Sequence, residues 1–238
     1  MLNSIIALIK DNRWYFSAFL LFLIVGAIFL FQIEQGDSIL YFSERRASLS
    51  DLFFLYFTKM GEEIIYLSLL ISFLFVNYRV AIVIPLTGVL VTIVSLSTKA
   101  FFAHDRPAPF FKQLGNFDSI QLVEGAELLL GKTSFPSGHT MSAFAIYGLL
   151  AFLLPKKRFV ALALFAAALL VGISRIYLVQ HFLKDIYAGA ILGTLLAMVI
   201  YLVQNRWRVP ETAWYNRSLL KKRYVPASQQ AEKIGIDE

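Results

Sequence analysis

Trp14 to Ile33 is a run of 20 residues without a single charge. At about 1.5 Å per residue, a helix of that length matches the roughly 30 Å hydrocarbon layer of a bilayer. Five more apolar runs follow, and together they leave little room for anything but a helical membrane bundle. The composition agrees: 58% of the 238 residues are hydrophobic and 16% are charged, against about 45–50% and about 25% in soluble domains. A chain of this length forms one or at most two domains, so the apolar excess cannot be absorbed by a larger water-soluble core.

The first run follows Lys10 and Arg13, as the core of a secretory leader would, but it is long and no small-residue cleavage pattern comes after it, so it reads as a retained span. Ile64–Tyr78 is short alone; extended back to about Gly61 it forms the second span, and Leu52–Thr58 before it reads as an interfacial segment. Val80–Thr98 is the third, with Pro85 tolerable near its start. Residues 103–138 form a long outer loop broken by Pro107, Pro109, Gly115, Gly125, Gly131 and Pro136, and loops of that length are uncommon without a function of their own. Thr140–Leu154, Phe159–Ser174 and Ile186–Asn205 complete an all-α bundle of six transmembrane helices over residues 1–205, with a polar, basic tail over 206–238.

With the N-terminus inside, 13 of the 22 Lys and Arg residues fall on the inner face, from Lys10 and Arg13 through Lys156, Lys157 and Arg158 to the tail. The positive-inside rule then predicts cytoplasmic termini. In a bacterium the membrane would be the inner one, because outer-membrane proteins are barrels. Topology also accounts for the formal charge of +6 without nucleic acid as a partner. The absence of cysteine excludes disulfides, thiolate nucleophiles and Cys-ligated metals. Chemistry must come from His, Ser, Lys, Arg or carboxylates.

The polar residues costliest to leave near lipid gather at the outer span ends. Lys99 and Arg106, seven residues apart, share a face if the helix continues to Pro107, and two cations on one face can approach one anion. Ser137 can cap the helix that follows Pro136-Ser137-Gly138-His139, and Gly138 lets the backbone come close to a ligand; the segment is either an ordinary capped junction or a phosphate cradle built on unpaired N–H groups. His181 and Asp185 stand at i, i+4, so the carboxylate can hold Nδ1–H and leave Nε2 free to attack or to take a proton, or the two can merely satisfy each other. Arg175 closes the fifth span. A zinc site on His139, His181 and a carboxylate is disfavoured, since no His pair stands at i, i+4 and three nearby cations would repel a dication. Glu62 and Glu63 either pair with the site cations or mark the water boundary, and His104 and Asp105 read as exposed loop residues ahead of the alternative that they contact a headgroup.

Taken together, Lys99-x6-Arg106-Pro107, Pro136-Ser137-Gly138-His139 and Ser174-Arg175-x5-His181-x3-Asp185 resemble the three-part signature of the type 2 phosphatidic acid phosphatase (PAP2) family, and the six-span layout resembles its integral-membrane lipid phosphatases. The resemblance implies that His181 is the nucleophile forming a phosphohistidine, oriented by Asp185, and that His139 protonates the leaving oxygen and then activates water. It implies that Lys99, Arg106 and Arg175, with Ser137, Gly138 and Ser174, hold the phosphoryl oxygens without a metal or other cofactor. The expected substrate is a lipid phosphate on the non-cytoplasmic face: undecaprenyl diphosphate, phosphatidylglycerol phosphate, phosphatidic acid and phosphorylated lipid A all fit the signature, which does not separate them or fix the oligomeric state. Selectivity is expected from the 103–138 loop and the segment around Arg45 and Arg46. Phosphoryl transfer to another lipid is the alternative chemistry; an anion transporter would need polar residues throughout the bundle's depth, whereas here they crowd one end.

Overall fold

A computed structural model describes residues 2–154, 158–206 and 214–220. Among them the chain forms α1 (Leu2–Asp11), α2 (Arg13–Gln32), α3 (Asp37–Ser43), α4 (Ser48–Phe57), a 3₁₀ turn at Thr58–Gly61, α5 (Glu63–Leu74), α6 (Tyr78–Phe102), α7 (Pro107–Gln113), α8 (Gly138–Leu153), α9 (Arg158–Tyr177) and α10 (Leu183–Arg206). Four of these, α2, α6, α9 and α10, are long and apolar enough to cross a membrane, while α5 and α8 are shorter apolar helices.

Helix α8 is the hub. Every residue from Thr140 to Phe152 is buried, as expected of a helix that is hydrophobic all round, and α6, α9 and α10 pack against it. The approach of α10 depends on glycine: a methyl group at Gly189 would stand 2.7 Å from the Ser137 carbonyl oxygen, and one at Gly193 would collide with the Met141 carbonyl. Glycines four apart let two helix backbones come together, as in membrane helix pairs generally. The outward faces of α2 (Leu20, Leu21, Ile24), α5 (Leu67, Ile71) and α6 (Leu86, Val89, Ile93, Leu96) expose apolar side chains, the surface that lipid covers. The chain is an integral membrane protein.

Several expectations need correction. Helix α5 begins at Glu63 and ends at Leu74, shorter than Gly61–Tyr78. Gly61 belongs to the 3₁₀ turn, and Asn77 turns the chain by accepting hydrogen bonds from the backbone N–H groups of Arg79 and Val80, capping α6. Helix α6 stops at Phe102, where Ala103 adopts a left-handed conformation with φ 46°, so Lys99 and Arg106 do not share one helix. Pro107 is the first residue of α7, a position that tolerates its missing N–H, and Arg106 before it is extended. The long loop therefore holds a short helix and a 3₁₀ turn at Phe117–Ser119. Helices α1 and α3 had no counterpart in the sequence reading. Residues 214–220 return to the α5–α6 turn, where the Tyr78 N–H donates to the Arg217 carbonyl and the Leu219 N–H to that of Leu74. Lys156, Lys157, Arg208 and the basic residues from Lys221 onward lie outside the described residues.

Candidate active site

The three motif segments meet at one end of α8. Asp185, in the first turn of α10, ties two of them together: its backbone carbonyl accepts from the Ser137 N–H at 3.0 Å. Its Oδ2 accepts from Ser134 Oγ at 2.6 Å and from the Phe182 N–H at 2.9 Å, and lies 3.4 Å from His181 Nδ1. A carboxylate so held fixes the imidazole's tautomer, with the proton on Nδ1 and the Nε2 lone pair free. His181 is 1% exposed. Burial pushes its pKa down to about 4, against the opposing pull of Asp185, so the ring is neutral near pH 7.

The turn that presents His181 is unusual. Val179 takes a left-handed conformation at φ 58°, rare for a β-branched residue. It lets the chain double back, so that the N–H groups of Gln180 and His181 both donate to the Arg175 carbonyl at the end of α9. Val179 is itself buried, in a cluster with Ile39 of α3, Phe111 of α7 and Phe182.

Three cations surround this pair. Arg106 is buried, with Nε donating to Thr133 Oγ1 at 3.1 Å, Nη2 to the Thr133 carbonyl at 3.2 Å and Nη1 to the Gln180 carbonyl at 3.1 Å. Arg175 is also buried; its Nη1 donates to Thr58 Oγ1 at 2.7 Å, while its Nε has no protein partner. Lys99 completes the set from the last turn of α6, with Nζ 3.4 Å from where a Cβ on Gly138 would stand. A side chain at position 138 would crowd that ammonium group and Ser95 Oγ at 3.1 Å. Ser137 is the N-cap of α8: its Oγ accepts from the Thr140 N–H and hydroxyl. The cap leaves the N–H groups of Gly138 and His139 as donors that the helix cannot satisfy internally.

His139 lies within electrostatic reach of Arg175, His181, Lys99 and Arg106. Its Nε2 faces Glu62 Oε1 at 3.6 Å. Beside it, between α5 and α6, opens a cavity of about 530 Å³ whose lining includes Glu62, Tyr66 and His139 together with Val89, Ile93 and Leu96.

Eight of the residues expected at the site, Lys99, Arg106, Ser137, Gly138, His139, Arg175, His181 and Asp185, thus stand at one end of the bundle. Ser174 does not join them; its Oγ donates to the Val171 carbonyl at 2.6 Å and is turned into its own helix. His104 is not an exposed loop residue: its ring packs against Phe102 and Phe135 and its carbonyl accepts from the Ser134 N–H. Glu62 faces a site histidine and also acts electrostatically on Arg175, in line with the expected pairing with the site cations. Arg46 stacks on Tyr177 and donates to the Gln121 carbonyl, so it fastens the outer segments together. Sequence reasoning missed Thr133, Ser134 and Gln180, whose only signal is their position close to motif residues, and Thr58, which is distant from every motif in sequence.

Residues 78–208 match the PAP2 superfamily, a stretch that contains every motif residue and more than half of the chain. The chain belongs to the PAP2 superfamily. It is 41% identical over 75 residues to Phosphatidylglycerophosphatase B of Bacillus subtilis (28% of this chain, 37% of the relative). It is 36% identical over 103 residues to Bacitracin transport permease protein BcrC of Bacillus licheniformis (41% and 47%). The matches thus span less than half the length of either relative. Among solved structures, Aquifex aeolicus LpxE superposes with a TM-score of 0.59 at 28% identity, over 70% of this chain and 93% of that one. A transmembrane PAP2-type phosphatidylglycerolphosphate phosphatase from Bacillus subtilis superposes with a TM-score of 0.51 at 25% identity, over 82% and 97%.

Proposed function

We propose that this PAP2 protein is a lipid phosphate phosphatase that removes phosphate from a phospholipid or from a polyprenyl or lipid A (di)phosphate, through a phosphohistidine and without a metal ion. One observation carries the reading: a buried neutral His181, held at Nδ1 by Asp185, with Lys99, Arg106 and Arg175 around it. The pair supplies a nucleophile and the cations supply the charge that other phosphoryl-transfer sites take from Mg²⁺.

The Nε2 lone pair of His181 forms a bond to phosphorus as the bond from phosphorus to the lipid oxygen breaks. His139 gives its proton to that oxygen, and the lipid product leaves. His139 then takes a proton from water, the resulting hydroxide bonds to phosphorus, the N–P bond breaks and inorganic phosphate departs, so both imidazoles regain their starting protonation states. Lys99, Arg106, Arg175 and the N–H groups of Gly138 and His139 hold the phosphoryl oxygens as charge develops on them.

The lipid substrate is supported by the apolar wall of the cavity beside His139, which suits an acyl or prenyl chain entering from the bilayer, and by the substrate in the name of one relative. In this reading α2, α5, α6, α8, α9 and α10 all cross the membrane, residues 1–205 form the phosphatase unit, both termini and the 206–238 tail are cytoplasmic, and the site faces the periplasm in a bacterial inner membrane. A relative named as a permease raises transport as a rival, but the charged side chains of the site sit at one end of the bundle and do not continue through its depth.

The test is phosphate release by the detergent-purified protein from the four lipid phosphates named above, with EDTA present, alongside His181→Ala. Release that survives EDTA and disappears in the variant is expected. Loss of activity to EDTA would overturn the metal-free mechanism; phosphate moved to a second lipid with none released would establish phosphoryl transfer instead.

A further inference from the structure

Glu62 lies outside the three motifs, yet the fold brings it to the site by a constructed route. It occupies the N-cap position of α5 with an extended backbone, φ −94° and ψ 173°, but its side chain makes no capping hydrogen bond. The adjacent Glu63 supplies the acidic residue of the first turn, where a carboxylate favours the helix dipole. Glu62 is therefore free to turn elsewhere, and its Oε1 stands 3.6 Å from His139 Nε2.

The turn that carries it is fastened to the site at three points. Arg175 Nη1 donates to Thr58 Oγ1 at 2.7 Å, and Tyr147 Oη donates to the Met60 carbonyl at 2.8 Å. Gly61 lies flush against α8 and α9: a methyl group there would stand 2.9 Å from the His139 carbonyl oxygen and 2.8 Å from Val171 Cγ1. The side chains of His139 and Glu62 are 31% and 37% exposed, so the pair opens to the cavity and to substrate. Among the described residues no other side chain forms an ion pair or hydrogen bond with the His139 ring. The charged and titratable groups that act on His139 from the surrounding elements are Lys99, Arg106, Arg175 and His181. An acid placed there must hold its proton among three cations, and Glu62 is the carboxylate at hand to counter them.

We propose that Glu62 is the positioning residue for the acid of this site: its carboxylate orients the His139 imidazole and stabilises the imidazolium. The active site then contains two His–carboxylate pairs, His181–Asp185 for attack and His139–Glu62 for the leaving group. The inference rests on the assignment of His139 as the acid under the function proposed above.

The test compares purified wild-type protein, Glu62→Gln, His139→Ala and His181→Ala on two substrates, phosphatidic acid and 4-nitrophenyl phosphate. The alkoxide leaving from phosphatidic acid needs a proton, whereas 4-nitrophenolate departs without one. Glu62→Gln is expected to lower kcat on phosphatidic acid by about 10- to 100-fold, the usual effect of losing a partner that orients a functional histidine, with KM little changed. The loss on 4-nitrophenyl phosphate should be at least about tenfold smaller, and His139→Ala should show the same ordering. The alkaline limb of kcat on phosphatidic acid should move to lower pH in Glu62→Gln, because the imidazolium has lost its counter-charge. An equal loss on both substrates, or an unmoved alkaline limb, would reduce Glu62 to a structural part and overturn the proposal, as would wild-type kcat. Activity surviving in His181→Ala would refute the phosphohistidine reading separately, since the leaving-group ordering and the alkaline limb still report on the acid.

Discussion

Replacing Ser134 by alanine removes one of the two short hydrogen bonds that fix the Asp185 carboxylate. Ser134 and Asp185 are both fully buried, and the Ser134 Oγ to Asp185 Oδ2 distance is 2.6 Å. The other carboxylate oxygen, Oδ1, already lacks a protein partner, so only the Phe182 N–H, on the same oxygen, would remain beside His181 to hold the carboxylate. A hydrogen bond to a charged group contributes about 1.5–3 kcal/mol. If it acts through the orientation of His181, each 1.4 kcal/mol of it is about tenfold in rate, which gives a loss of about 10- to 100-fold. The loss should appear in the single-turnover rate of phosphoenzyme formation with a radiolabelled lipid phosphate, the step in which the proposed mechanism has His181 attack. Ser174→Ala is the matched control: it also deletes a buried hydroxyl, but one bonded only to the Val171 carbonyl of its own helix, and it should keep the wild-type rate within about threefold, since that bond is local. Wild-type phosphorylation in Ser134→Ala, or equal losses in the two variants, would refute the argument that Asp185 acts through a fixed geometry.

With its pKa at about 4, His181 stays neutral down to that pH, so the acidic limb of kcat/KM assigned to it should fall only near pH 4, well below the about 6.5 of a free imidazole. The unfolded chain binds this proton first, so stability is complete above about pH 6.5 and declines as pH drops through the folded value; thermal melts in detergent between pH 7 and 4 would register an opposite trend as a failure. Thr58→Val deprives the buried Arg175 of its hydroxyl partner when Nε already has none, and should lower kcat/KM by about tenfold; an unchanged value would mean that Arg175 is held by other means. Gly193→Ala forces α8 and α10 apart against the Met141 carbonyl, costs about 1–3 kcal/mol, and should lower the melting temperature and yield of monodisperse protein; a wild-type melting curve would contradict the packing described here.

Much of this was legible in the sequence because a bilayer penalises ambiguity. Lys99, Arg175, His139 and Asp185 stood out since ionisable groups at span ends need a reason to be there. The runs that became α2, α6, α9 and α10 were visible for the same reason. What escaped was local. Whether Lys99 and Arg106 share a helix depends on Ala103 adopting a left-handed turn, for which alanine carries no signal. Pro107 can stop a helix or start one, and only the extended Arg106 decides between them. Ser134 and Thr58 are single polar residues outside any periodic element, and Glu62 next to Glu63 looks like a water boundary until the turn at Gly61 is seen pressed against His139. His104 read as an exposed loop residue because nothing in the sequence shows that its ring packs against Phe102 and Phe135.

The left-handed turn at Val179 ties the chemistry to the protein's outer covering. Holding a valine in that conformation costs about 1–3 kcal/mol; the two N–H bonds to the Arg175 carbonyl close the turn, and the apolar cluster that includes Ile39 of α3 and Phe111 of α7 packs around it. His181, the proposed nucleophile, therefore does not stand on the long helices alone; it follows a strained turn packed against two short helices. If the outer segments set lipid preference and His181 attacks phosphorus, as proposed, preference and turnover are not separable by design: grafting those segments from one relative onto another would also change the packing around Val179, and with it the placement of His181.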